Sequence, residues 1–201
     1  FIWSLTLTDI YSGWTEIRAT WNKGSAGVID QIKNIETILP FPLQGFDCDN
    51  GSEFLNHHLV RYFTDRPKKV GFTRSRPYRK NDNAHVEQKN WTHVRQLFHY
   101  HRIDNPALVA LMNDIYSKEW SLLQNFYSPS MKLLSKHRIN AKYQKTYSKP
   151  LTPYQRLLGS PDVSQETKTQ LHKIYAELDP FQLQKNIKKK INDIFRIVGN
   201  R

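Results

Sequence analysis

The sequence predicts an α/β domain with a mixed sheet flanked by helices, followed by a basic region that is first extended and then helical. Three observations carry this. Short strand-like runs alternate with amphipathic helical ones through the first part of the chain. The first two runs are joined by a tight turn and must pair antiparallel, whereas the later ones are separated by helices and need crossovers. Past Ser128 the apolar content falls and basic residues crowd together.

Phe1 to Ile10 alternates, with Phe1, Trp3, Leu5 and Leu7 on one face and Ser4, Thr6 and Thr8 on the other, the mark of a half-buried strand. Tyr11-Ser12-Gly13 turns the chain, and Trp14 to Trp21 returns as the second strand of a hairpin. Gly24 and Ser25 open a helix whose Val28, Ile29, Ile32, Ile35 and Ile38 form an apolar stripe; Pro40 and Pro42 stop it. Leu43 to Cys48 is a short strand. Ser52 to Thr64 is helical, with Phe54, Leu55, Leu59, Tyr62 and Phe63 as core candidates, and Lys69 to Thr73 is a further strand.

A basic loop, Arg74 to Asn81, comes next. Asp82 caps a helix running to about Arg102. Asn105-Pro106 starts another to about Phe126, and Leu151 to Leu158 and Ser164 to Val198 read as helical. The chain thus divides into a core over 1–127, a basic extended segment over 128–160 lying on the domain or on a ligand, and a helical region over 161–201. It opens at Phe1 inside a strand-like run, which reads as a missing start.

With 201 residues the chain can bury a sizeable core, and a net charge of +12 makes nucleic acid the first partner to consider. One cysteine, Cys48, excludes an internal disulfide and a multi-cysteine zinc site, and fits a reducing cytoplasm. No apolar run is long enough for a membrane. No Gly-rich phosphate loop points to a nucleotide cofactor, and nothing resembles a nucleophilic triad.

Two acids stand out. Asp49 ends an apolar strand and precedes Asn50-Gly51, where the backbone turns; it either caps the following helix or binds a ligand at the strand end. Glu87 falls in the stripe of Ala84, Trp91, Val94 and Phe98, so a core-facing carboxylate there needs a basic partner or a cation. Asp47, on the same strand face as Asp49, is a rival or auxiliary ligand. Together these acids suit Mg²⁺ or Mn²⁺ in a two-metal site, which activates an attacking oxygen and stabilises a leaving one. Arg74, Arg76, Arg79 and Lys80 can hold phosphates, and Tyr78 can stack on a base. His57 and His58 are adjacent and belong on a helix surface; His85 points away from Glu87. His99 and His101 lie near a helix end. Cys48 takes the opposite, buried face from its flanking acids, and Lys188-Lys189-Lys190 is either a solvated helix face or a backbone-contacting patch.

Asp-Asn-Gly-Ser-Glu-Phe at 49–54, Arg-Pro-Tyr at 76–78 and Asn-Ala-His-Val-Glu-Gln-Lys-Asn at 83–90 resemble the retroviral-integrase-type catalytic core of bacterial insertion-sequence DDE transposases. Thr8 to Glu16 is similar to the hairpin of that core. Thr152-Pro153-Tyr154-Gln155-Arg156-Leu157-Leu158 resembles a short motif that follows it in some members. The resemblance runs from Phe1 to about Leu134. It implies an RNase H-like fold, with Asp49 and Glu87 as the second and third of three acidic metal ligands. The first would come from a strand ahead of the hairpin, a strand this chain does not contain; Asp9 aligns with a residue that is not a ligand in relatives.

The function so implied is metal-dependent cleavage of element ends and strand transfer into target DNA by a homo-oligomer, in a bacterial cytoplasm at the nucleoid. Asn83 and Asn90 share the side of Glu87, while Lys89 and Arg95 join the basic loop on the DNA backbone. The alternatives are a non-catalytic DNA-binding remnant of a truncated transposase, or an RNase H-like nuclease that cuts without joining.

Overall fold

The computed structural model describes residues 1–22, 24–48, 57–74, 89, 91–99 and 101–199. Strand β1 (Ile2–Thr8) and strand β2 (Thr15–Trp21) form the antiparallel hairpin, with Ile2 opposite Trp21 and Thr8 opposite Thr15. Gly13 in the turn has φ 79°, a left-handed conformation that a side chain would strain. The Asp9 carboxylate closes this turn by accepting from both the backbone N–H and the hydroxyl of Ser12, each at 2.6 Å.

Helix α1 (Ser25–Ile38) begins after an extended Gly24 and ends ahead of Pro40. Strand β3 (Gly45–Cys48), helix α2 (His57–Thr64) and strand β4 (Gly71–Arg74) form a crossover unit in which β3 and β4 pair in parallel, Gly45 opposite Gly71. Both expected pairings are present. Among the described residues, however, they form separate two-stranded sheets rather than one mixed sheet. Among the described residues, no backbone ladder joins β1 to β3; Leu5 of β1 and Phe46 and Cys48 of β3 enter the same core.

A π-helical turn (Trp91–Arg95) runs into α3 (Gln96–Phe98), which stops short of the expected Arg102 because His99 takes φ 53°. Helix α4 (Leu108–Ile115), a second π turn (Tyr116–Trp120) and α5 (Ser121–Tyr127) follow without a break. The segment expected to be simply extended is a β-hairpin, β5 (Leu133–Ile139) with β6 (Lys142–Tyr147). Asn140, with φ 56°, supplies the turn between them.

Thr152 then starts α6 (Pro153–Gly159) through a reciprocal capping box with Gln155. The expected helical run from Ser164 to Val198 is two helices, α7 (Gln165–Glu177) and α8 (Pro180–Gly199). Asp179 Oδ1 accepts from the N–H of Phe181 at 2.9 Å, and Pro180 has no N–H to lose, so a new helix starts there.

Among the described residues, three apolar clusters hold the fold. The first joins Ile17 and Ala19 of β2 to α3, α4 and α5, and the Leu183, Ile187 and Ile194 face of α8 packs on the outside of α4 and α5. The second joins Leu5 of β1 to Val28, Ile29, Ile32 and Ile35 of α1, Phe46 and Cys48 of β3, and Leu59 and Phe63 of α2. The third gathers Trp14, Phe126, Tyr154, Leu157 and Leu171. Trp3 lies at the rim of this arrangement, exposed and beside Phe1. Among the described residues, no helix is long and apolar enough to cross a membrane.

Strand β2 is covered on both faces, and this traps an ion pair. Arg18 Nη1 lies 3.4 Å from Glu16 Oε2, and both side chains are buried. Arg18 also donates through Nε to Asn34 Oδ1 at 2.7 Å, and Glu16 accepts from Trp14 Nε1 at 2.9 Å and from the Ser121 hydroxyl at 2.6 Å. Burial pushes the Glu16 carboxyl above its ordinary range and the Arg18 guanidinium below its own. Both shifts favour the neutral forms, with burial the largest cause of each.

Candidate functional site

Strand β3 ends at Cys48, one residue before Asp49. Phe46 and Cys48 are buried and Asp47 is exposed, as strand alternation requires. Asp47 Oδ1 accepts from the Thr73 hydroxyl on β4 at 2.6 Å. Asp49 and Glu87 lie outside the described residues, as do Arg76, Tyr78, Arg79, Lys80, Asn83, His85 and Asn90. Among the described residues, no three His, Cys, Asp or Glu side chains gather around a common point. Asp47 and Asp9 are each engaged within the fold, by Thr73 and Ser12. Asp49 and Glu87 offer hard oxygen donors, which suit Mg²⁺ or Mn²⁺.

Three of the expected DNA-contacting residues can be placed. Arg74 is exposed at the end of β4, its guanidinium 5.7 Å from the centre of the Phe72 ring. Arg95 is exposed on the first π turn. Lys89 is half-buried, and its Nζ lies 3.4 Å from His93 Nε2. Burial, and then the neighbouring Arg156 guanidinium, lower the pKa of the Lys89 ammonium.

The apolar stripe expected on this helix is shifted. Trp91 is half exposed, while His93, Leu97 and Phe98 are buried and Val94 packs partly against the first core. The cause is the π turn: bonding from i to i+5 changes the phase of successive side chains relative to an α-helix. Trp91 therefore cannot anchor the assignment of Glu87 to a core-facing stripe. His93 meets Trp120 edge-on, 6.2 Å between ring centres. Burial first, and the nearby Lys89 second, push its pKa down to about 3, so the ring is neutral at ordinary pH. His93 Nδ1 has no hydrogen-bond partner among the described residues.

Two residues that sequence reasoning did not single out organise this region. Arg156 on α6 donates through Nη1 to the Ser12 carbonyl at 2.9 Å and to the Ser130 hydroxyl at 3.1 Å, and through Nη2 to the Ser130 carbonyl. Lys132 donates to the carbonyls of Ile10, at 3.0 Å, and Tyr11. Together they tie the β1–β2 turn to the foot of the β5–β6 hairpin. The signal for Arg156 was its place in the Thr152–Leu158 motif; Lys132 carried none beyond its charge.

The other candidates separate cleanly. His57 and His58 are exposed, and His99 and His101 pack at the helix end against Phe195. Of the lysine run, Lys188 and Lys189 are exposed, whereas Lys190 bridges Asp114 and Glu119 and so fastens α8 to the helical layer.

No family model matches the chain. Over 156 residues, 78% of its length, the chain is 40% identical to an uncharacterized protein, y4rM, of Sinorhizobium fredii. The chain spans 44% of that relative.

Proposed function

We propose that this chain belongs to the catalytic core of an integrase-type DDE transposase with an RNase H-like fold. It would cut element ends and join them to target DNA. The observation that carries this reading is a pair of motifs: Asp49 to Phe54 directly follows a strand whose Phe46 and Cys48 enter the core, and Asn83 to Asn90 directly precedes the helical turn at Trp91. Support comes from the element order, an antiparallel hairpin, a helix, then a parallel strand pair with its crossover helix.

Asp49 and Glu87 are the residues to hold Mg²⁺ or Mn²⁺, which would supply Lewis-acid activation of the attacking and leaving oxygens. Arg74, Lys89 and Arg95 neutralise phosphates and position the duplex. Transposases of the kind it resembles act as multimers on paired ends, and a homo-oligomer on DNA is part of the proposal.

The test uses the protein in its full-length natural context, with labelled element-end DNA and Mg²⁺. Cleaved and joined products are expected. Glu87→Gln should abolish both while leaving DNA affinity within about twofold. Cleavage without joining would replace the proposal with a nuclease, and binding without cleavage would make the chain a DNA-binding remnant. Activity surviving in Glu87→Gln would remove that residue from the site.

A further inference from the structure

The β5–β6 hairpin packs chiefly against itself, and every residue in its strands except Ser135 is exposed. Between Lys132 and Lys149 it carries Lys132, Lys136, Arg138, Lys142, Lys145 and Lys149, and not one acid. A solvated protein surface mixes signs; this one does not.

The register concentrates the charge further. Lys136 lies opposite Lys145, and Arg138 opposite Tyr143. Cross-strand partners and alternate residues share a face, so Lys136, Arg138, Tyr143 and Lys145 all project from the same side. Two lysines directly opposite each other destabilise a hairpin. An isolated two-stranded ribbon is already marginal in water. Among the described residues, Lys136 meets the Tyr143 ring, 4.3 Å from its Nζ to the ring centre. Within the arm itself nothing neutralises this face, and a polyanion would.

We propose that the β5–β6 hairpin is a DNA-binding arm that lays its Lys136, Arg138, Tyr143 and Lys145 face against duplex DNA. The shape fits. A two-stranded ribbon enters the major groove of B-form DNA, and strands of this length span about 20 Å. The same ribbon does not enter the narrow major groove of A-form RNA, which selects duplex DNA as the occupant. The foot is fixed: Lys132 and Arg156 bind it to the β1–β2 turn, and Ser130 bridges to Leu151. The arm therefore meets DNA from a held base. This assignment rests on the DNA-binding part of the proposed function and not on its chemistry.

The test is fluorescence anisotropy of the purified chain with a labelled random-sequence duplex of about 30 base pairs, long enough for several non-specific sites, titrated at several salt concentrations. The variants are K136A/R138A/K145A in the arm and K185A/K188A/K189A on the exposed face of α8, which removes equal charge elsewhere. The arm variant should bind at least about tenfold more weakly, with a salt slope reduced by about 2–3, since each cation removed leaves one phosphate fewer neutralised. The α8 variant should stay within about threefold of the parent, and a duplex RNA of the same sequence should compete poorly.

Equal losses in both variants would make the effect one of net charge and overturn the proposal. So would an arm variant that binds like the parent, or one that changes only the sedimentation of the chain, which would make the arm a protein–protein element. Absence of duplex binding by the parent chain would overturn the DNA reading as a whole, an outcome distinct from failure of the arm alone.

Discussion

Replacing Arg18 by Met tests how the buried ion pair on β2 holds the fold. The pair is separated by 3.4 Å, which at an effective dielectric of about 20 corresponds to an attraction of about 5 kcal/mol. The charge-assisted hydrogen bond to Asn34 adds about 1.5–3 kcal/mol. Against these, Met spares the several kcal/mol needed to desolvate a guanidinium. What remains is mostly the isolation of Glu16, and the expected net loss is about 3–5 kcal/mol. In urea unfolding followed by circular dichroism, the midpoint should fall by roughly 1–2 M.

The loss should depend on pH. Burial already raises the Glu16 carboxyl, and removing Arg18 takes away a charge that lowers it. The folded state then holds a proton that the unfolded chain releases above its ordinary carboxylate range, so stability falls as pH rises through that window. Arg18→Met should therefore cost less at pH 5 than at pH 8, and adding Glu16→Gln should restore part of the loss at pH 8. A cost below about 1 kcal/mol, or one equal at both pH values and untouched by Glu16→Gln, would refute the reasoning.

Three further outcomes are expected. The His93 pKa is about 3 when folded and near 6.5 when unfolded, so its share of stability is complete above pH 6.5 and is lost as pH falls toward 3, up to about 4–5 kcal/mol. His93→Phe, which keeps a ring beside Trp120, should lose less stability than the parent between pH 7 and pH 4, read from urea midpoints. At Gly27 a Cβ would stand 2.7 Å from Thr20 Oγ1. Gly27→Ala should cost about 1–2 kcal/mol in spite of the roughly 1 kcal/mol gain in helix propensity, and the sign should reverse in a Thr20→Ala background, as thermal unfolding of the four proteins will show. Thr152→Ala removes the capping box of α6 and should lower stability by about 1 kcal/mol in chemical denaturation.

What the sequence made legible was local. Alternation marked β1, the stripe of Val28, Ile29, Ile32 and Ile35 marked α1, and parity put Cys48 inside and Asp47 outside; each needs only a few neighbours to be read. The features that were not legible depend on distant parts of the chain. Glu16 and Arg18, two residues apart on a strand, carry the pattern of a solvated face, and only the arrival of α1 and α5 buries them. The π turn at Trp91–Arg95 rotated a face that an α-helical period would place elsewhere, and no residue there announces it. The β5–β6 arm was hidden because its strands follow no apolar–polar alternation and bury no face in a core. In the candidate site, the motifs named Asp49 and Glu87 and contained Arg156, whose part in tying down the β1–β2 turn emerged from its bonds to Ser12 and Ser130.

The distribution of the cores along the chain sets an order of assembly. Among the described residues, the buried members of the second core lie between Leu5 and Val70, whereas the first core takes its last members, Leu183, Ile187 and Ile194, from α8, which packs on α4, the second π turn and α5. During synthesis, α1, β3 and α2 can consolidate first, α4 and α5 then cover β2, and α8 closes over the outside of those helices last. The outer face of α4 and α5 thus stays wet until α8 arrives, and a ribosome that stalls before Leu183 would present that helical face to whatever chaperone stands at the exit.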